Sequence, residues 1–244
     1  FDNVSLSYGG APALEGVSFA LKRGESLGIL GATGSGKSSL VALLFRFYDP
    51  DTGAVYVDGR NVKSYAPEEL RRKFGVVFQS DFLMAASVRE NIDFGRGLPD
   101  AAISRAVRQA RADGFIAEHG GDGAELTARG TNFSGGQKQR LLIARALAAS
   151  PEILVLDDSS SALDYKTDAE LRRTILDDLR GTTVVMIAQR ISSVRFADHI
   201  LVLENGRAVG FGSDAELMQT CETYRAIYAS QHENGEGGEC RADE

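Results

Sequence analysis

The sequence predicts an α/β fold: a mainly parallel sheet flanked by helices, with a helical subdomain inserted midway. Three features of the 244 residues predict it. Short apolar runs of strand length alternate with stretches whose apolar residues recur at helical spacing, the pattern of a parallel sheet covered by helices. One of the runs ends in a glycine-rich loop that opens a helix. The middle of the chain, about Ser87 to Ser150, is mostly helical and interrupts the alternation.

The elements follow in order. Phe1 to Tyr8 and Gly16 to Leu21 carry alternating apolar residues and read as strands. Ser26 to Leu30 is a continuous apolar run, and from Ser38 to Phe47 the residues Leu40, Leu43, Leu44 and Phe47 share one helical face. Asp49-Pro50 ends that helix. Val55 to Asp58 with Gly59 reads as strand and turn, Ala66 to Lys73 as a short helix with Pro67 in its first turn, and Phe74 to Phe78 as a buried strand. Helices are expected at Pro99 to Ala112, Asp113 to His119 and Gly135 to Ala149. Strands return at Ile153 to Leu156, Thr183 to Ile187, His199 to Leu203 and Arg207 to Gly210, covered by helices at Asp164 to Leu179 and Asp214 to Ser230. From Gln231 the chain is polar, glycine-rich and acidic, so the expected domain is 1–230 and the expected disordered tail is 231–244.

Composition narrows the class. A hydrophobic fraction of 43% and a charged fraction of 25% are those of an ordinary soluble domain. No stretch approaches the roughly 18 consecutive apolar residues of a membrane span. Nothing at Phe1 resembles a leader, and the start there reads as a cut from a longer chain. A net charge of −7 without any basic block argues against a dedicated nucleic-acid binder. Cys221 and Cys240 offer no disulfide framework, which fits a reducing cytosol.

The strongest local signal is Gly31-Ala32-Thr33-Gly34-Ser35-Gly36-Lys37-Ser38, a GxxxxGK[ST] loop between a buried strand and an apolar-faced helix. Small glycines let backbone N–H groups from Gly34 to Ser39 curl around an anionic phosphate at the positive end of the helix. Lys37 can reach the β- and γ-phosphates of a nucleotide, and the Ser38 hydroxyl can ligate Mg²⁺. Ile153-Leu154-Val155-Leu156-Asp157-Asp158 complements it: an apolar strand ending in carboxylates, at the strand end where ligands bind in such sheets. There Asp157 would hold Mg²⁺ through water, with Asp158 beside the attacking water. Taken alone, such a strand is also what an acidic helix cap looks like.

A third motif, Asn132-Phe133-Ser134-Gly135-Gly136-Gln137, stands between the loop and the acidic strand. By itself it is equally a Ser/Gly helix cap. In this position it is similar to the LSGGQ signature, and the chain resembles the nucleotide-binding domain of ABC transporters from about Phe1 to Tyr228. The resemblance implies a phosphate-loop NTPase core with ATP and Mg²⁺ as ligands, an antiparallel β subdomain and an inserted helical one. It implies further roles residue by residue. Tyr8 matches the aromatic that stacks on adenine, although a lone strand tyrosine is also ordinary packing. Gln79 matches the glutamine that touches Mg²⁺ and senses the membrane domain. Asp164, in Ser161-Ala162-Leu163-Asp164, matches the loop that crosses to the partner. Ser134, Gly135, Gly136 and Gln137 would act on the partner's ATP in a head-to-tail dimer.

Phe82-Leu83-Met84 and Ser87-Val88-Arg89-Glu90-Asn91-Ile92 resemble exporters in which membrane and ATPase domains share one polypeptide. In Ala124 to Gly130, the place of the exporter TEVGERG loop, Glu125, Arg129 and Gly130 match and Ala128 replaces the second Glu. The implied partners are a transmembrane domain and a second nucleotide-binding domain, with no nucleic acid, at the cytoplasmic face of a bacterial membrane.

Two positions depart from the family pattern. Where active members carry the water-polarising Glu, this chain has Asp158, one methylene shorter. Where the switch histidine follows the next strand, Ile187-Ala188-Gln189-Arg190 puts Gln189, which donates a hydrogen bond but carries no charge. Both flank the same γ-phosphate, while Lys37 and the binding loop are intact. The pattern resembles the degenerate-site subunit of a heterodimeric exporter, with a non-identical partner. Two other functions stay open at this point: a soluble ABC ATPase acting as a nucleotide switch in DNA repair or translation, and a free-standing importer ATPase. The first usually carries coiled-coil insertions or tandem domains, which are missing here. The second lacks the exporter-like segment after Gln79. A multi-span hydrophobic region upstream of Phe1 in the gene would discriminate among them.

Overall fold

The structure is a computed structural model and describes residues 1–157, 172–173, 175–179 and 181–236. Asp158 and Asp164 lie outside the described residues, as do residues 237–244. The chain divides into two compact units, Phe1–Leu21 with Glu25–Pro67 and Met186–Glu244, and Lys22–Gly24 with Glu68–Val185.

The first unit opens with β1 (Asp2–Tyr8) and β2 (Ala11–Val17), an antiparallel pair. On its other side β1 meets β4 (Thr52–Ala54), giving the order β2-β1-β4. Val4, Leu6, Leu14 and Val17 are buried and hold this small sheet. A hairpin of β5 (Tyr56–Val57) and β6 (Arg60–Asn61) turns through Asp58 and Gly59, both at positive φ as a tight two-residue turn requires.

The same unit holds β3 (Ser26–Leu30), buried at every residue, beside β10 (His199–Glu204) in parallel register, Leu27 opposite His199 and Leu30 opposite Val202. β10 pairs antiparallel with β11 (Arg207–Gly212). The helices are α1 (Lys37–Leu44), α7 (Asp214–Thr220) and α8 (Glu222–Glu236).

In the second unit β7 (Phe74–Val77) and β8 (Ile153–Asp157) are parallel neighbours, Phe74 opposite Ile153 and Val77 opposite Leu156. Its helices are α3 (Val88–Asp93), α4 (Asp100–Gln109), α5 (Asp113–Glu118) and α6 (Gly135–Ala148), with α3 and α4 packed on α6. α2 (Pro67–Arg72) begins at the last residue of the first unit. The strand β9 (Thr183–Ala188), buried at every residue, has its first half in the second unit and its second half in the first. The architecture is thus the predicted one: parallel pairs flanked by helices, a mixed edge at β11 and an antiparallel β subdomain. Among the described residues no helix is long and apolar enough to cross a membrane.

The structure corrects several expected boundaries. The second strand is Ala11–Val17, not Gly16 to Leu21, because the Gly9-Gly10 turn sets Tyr8 opposite Ala11 and so starts pairing early. β4 had no sequence signal: its centre is Gly53 at φ 78°, where a Cβ would strike the carbonyl oxygens of Asp2 and Asn3. The expected helix from Asp214 to Ser230 is two helices, broken where Cys221 takes extended backbone angles. The last helix is described to Glu236, and residues 237–244 of the expected tail lie outside the described residues.

Candidate functional site

In the first unit the glycine-rich loop leaves the carboxyl end of β3 and runs into α1. Glycine is required at two of its positions. A Cβ on Gly31 would stand 2.5 Å from the Leu203 carbonyl oxygen. Gly36 has φ 106°, and a Cβ there would meet the Ala13 carbonyl at 2.8 Å. The backbone can therefore curl only where side chains are missing. Gly36 caps α1 without a side-chain hydrogen bond. The amides of Ser38 and Ser39, in the first turn of that helix, therefore receive no capping side chain from Gly36 and lie at the positive end of the helix.

Lys37 is buried, and its Nζ donates to the carbonyl oxygens of Gly31 at 2.7 Å and Ala32 at 2.8 Å. The Ser35 hydroxyl is buried without a hydrogen-bond partner. An orphaned buried hydroxyl in a loop of uncapped amides fits a polyanionic ligand that supplies acceptors. Thr33, Gly34 and Ser38 face solvent.

A cleft of about 290 Å³ joins this loop to Tyr8: its walls include Tyr8, Ala13, Gly34, Gly36, Lys37, Ser38 and Ser39. Tyr8 is 40% exposed at the end of β1, and Tyr48 meets it edge-on with ring centroids 5.1 Å apart. The unit therefore sets an aromatic face beside a phosphate-sized cradle. The sequence does not mark Tyr48, which follows a helix end with nothing local to turn its ring toward Tyr8.

In the second unit Gln79 and Asp157 both emerge at the carboxyl end of the β7–β8 pair, because Val77 lies opposite Leu156. Gln79 is exposed and lines a cleft of about 680 Å³ shared with Phe82, Arg129, Gly135 and Lys138. The structure thus brings Gln79 to the start of the signature helix. Within the signature, the Ser134 Oγ accepts from the Gln137 amide at 3.2 Å, and the Gln137 side chain accepts from the Ser134 amide at 2.8 Å. This is a capping box, so the helix-cap reading holds in full.

The two exporter-like segments are tied together. Val88 N–H donates to the Ala124 carbonyl at 2.9 Å and Leu126 N–H to that of Ala86 at 3.0 Å. Asn91, fully buried, holds the intervening strap: its carboxamide accepts from the Met84 amide at 2.8 Å and donates to the Met84 and Ser87 carbonyls. Arg145, on α6, donates to the carbonyls of Asn91 at 2.8 Å and Phe82 at 3.0 Å. Desolvation lowers the Arg145 pKa from its usual value. Phe82 itself is 60% exposed. Gln189, exposed, follows β9 in the first unit.

A phosphate cradle at a strand–helix junction, with a neighbouring aromatic, defines a nucleotide-binding domain of the phosphate-loop class. Residues 14–161 match the ABC transporter family profile. The chain belongs to the ABC transporter family. It is 42% identical over 238 residues to the ABC transporter ATP-binding protein YknU of Bacillus subtilis, covering 95% of this chain and 40% of that protein. It is 41% identical over 222 residues to the β-(1→2)glucan export ATP-binding/permease protein NdvA of Bradyrhizobium diazoefficiens, covering 89% and 36%. A bacterial Atm1-family ABC exporter solved with ATP bound superposes with a TM-score of 0.87 at 37% identity, covering 95% of this chain and 41% of that one. The chain spans about 40% of the length of the first of these relatives.

Proposed function

We propose that this chain is the ATPase part of a heterodimeric exporter subunit, binding ATP with Mg²⁺ at its own loop and hydrolysing it slowly. The observation that carries the reading is an intact phosphate cradle combined with two sequence departures at the γ-phosphate, Asp158 and Gln189. Lys37, Ser35 and the amides of Lys37 to Ser39 bind the phosphates, and Tyr8 receives the adenine. Ser38, Gln79 and Asp157 would hold Mg²⁺, which when bound neutralises charge developing on the phosphate oxygens. Asp158 is a short general base and Gln189 an uncharged donor, so binding survives better than hydrolysis.

The signature residues Ser134, Gly135, Gly136 and Gln137 complete the partner's site in a head-to-tail dimer, and Asp164 crosses toward that partner. The partner is a non-identical chain that supplies the complete catalytic pair. The cleft at Gln79 and the exposed Phe82 support docking of a transmembrane domain on the second unit, which sets the assembly at the cytoplasmic face of the membrane. The test pairs two measurements on the purified chain: calorimetric ATP affinity with Mg²⁺, and steady-state turnover. Tight binding with turnover far below about 1 s⁻¹ is expected. Turnover at or above that rate would show a competent site.

A further inference from the structure

The residue expected to open a frayed tail is bonded to the switch segment. The Gln231 Nε2 donates to the carbonyl oxygen of Gln189 at 2.9 Å, and its Oε1 accepts from the Ile191 amide at 3.0 Å. A carboxamide both donates and accepts, so Gln231 pairs with alternate backbone groups as a neighbouring strand would. A second strut lies close by. Ile191 leads through a short 3-10 turn to Arg195, which faces Asp214 at 3.7 Å. Asp214 in turn accepts from the hydroxyl of Tyr224 at 2.5 Å, and Tyr224 is fully buried on α8, the helix that carries Gln231. Residues 189–195 are therefore bonded to α8 through the backbone of Gln189 and Ile191, and to α7 through the Arg195 side chain.

We propose that Gln231 is a positioning residue for Gln189: it fixes the backbone from which the Gln189 side chain reaches for the terminal phosphate. This rests on the reading above that Gln189 faces the γ-phosphate. A side chain launched from a fixed backbone loses less freedom on binding, so the clamp favours ATP over ADP. Nothing near Gln231 in sequence reveals this, because its partners are backbone groups 40 and 42 residues away.

The experiment uses the 244-residue chain with Gln231→Ala, Gln231→Glu and Gln189→Ala. Hydrogen exchange at the Ile191 amide reports the clamp, and calorimetric affinities for ATP and ADP report the switch. Ile191 should lose protection in Gln231→Ala and keep it in Gln231→Glu, whose carboxylate still accepts. Both Gln231 variants should lose the bond to the Gln189 carbonyl and lower ATP affinity roughly threefold to tenfold with ADP affinity unchanged. In the double variant Gln189→Ala/Gln231→Ala the losses should not add. A Gln189→Ala effect on the ATP-to-ADP ratio with none from Gln231→Ala overturns the positioning role alone. An unchanged ratio in Gln189→Ala overturns the underlying reading of Gln189, and the positioning role with it. Equal loss of ATP and ADP affinity in the Gln231 variants shows a merely structural residue and also overturns it.

Discussion

The ammonium of Lys37 donates to the carbonyl oxygen of Gly31, six residues earlier, at 2.7 Å, so its charge is folded into the loop that carries it. Two of the three ammonium donors go to Gly31 and Ala32, so these carbonyls hold the ammonium where a nucleotide's β/γ-phosphates can add charge-assisted bonds to it. Lys37→Ala removes that ammonium while leaving Gly31 and Gly36 to shape the backbone. ATP affinity should fall by at least about tenfold, since hydrogen bonds to charged groups contribute roughly 1.5–3 kcal/mol each. Comparable ATP affinity in the variant, by calorimetry with Mg²⁺, would remove this loop from the site.

Asn91 predicts a stability effect away from the nucleotide. Replacing it with Ala leaves the Met84 amide without its acceptor and removes one acceptor of Arg145 inside a packed subdomain. The cost is about 3 kcal/mol, in the range for breaking a buried polar network. Chemical denaturation should show that loss, with ATP affinity of the remaining native protein close to wild type. A loss below about 0.5 kcal/mol would mean that the strap is held by other contacts.

Ser26 and Asp198 predict a pH dependence. Partial burial is the largest influence on Asp198 and acts to raise its pKa. The Ser26 hydroxyl and amide bonds, with His199 nearby, together hold it below the usual 3.8. A carboxylate with a depressed folded pKa stabilises the fold above its unfolded value, and the gain is lost as pH falls through the folded pKa. Ser26→Ala should cost about 1 kcal/mol at neutral pH. The gap between variant and wild type should close as the pH drops below about 3.8. Unfolding curves at several pH values check this, and a gap that widens in acid would reverse the assignment.

Gly36→Ala puts a side chain on a backbone at φ 106° and against the Ala13 carbonyl. Strain of about 1–3 kcal/mol is expected, together with a distorted cradle. Melting temperature and ATP affinity should therefore both fall. A variant that melts normally and binds ATP normally would show that this turn tolerates a Cβ.

The site was legible where its chemistry is local. Gly31 to Ser38 could be read as a loop because the need for glycine lies in consecutive backbone angles, and the strand before it is apolar at each buried position except Ser26. The start of β2 and all of β4 were not legible, since both follow from pairing with β1 across a turn and a glycine contact. The start of α3 carries a local signal: Ser87 and Glu90 have the S-x-x-E spacing of a capping box and form one. Tyr48, Asn91 and Gln231 were beyond reach, because each acts through partners that only the folded chain supplies. Composition marked Gln231 as tail, while its carboxamide is bonded at both ends.

The most direct measurement of the central claim separates the two sites that one chain serves. Gly135, at the start of the signature helix, belongs to the partner's ATP site in the proposed dimer, and Asp158 belongs to this chain's own. Gly135→Glu sets volume and negative charge against the partner's γ-phosphate, whereas Asp158→Asn removes a carboxylate from a site that is already slow. Steady-state ATPase of the assembled transporter is measured with each substitution confined to this subunit. The account predicts that Gly135→Glu abolishes most turnover and that Asp158→Asn leaves most of it. Equal silencing by the two substitutions would contradict the account and point to a symmetric machine in which both sites fire.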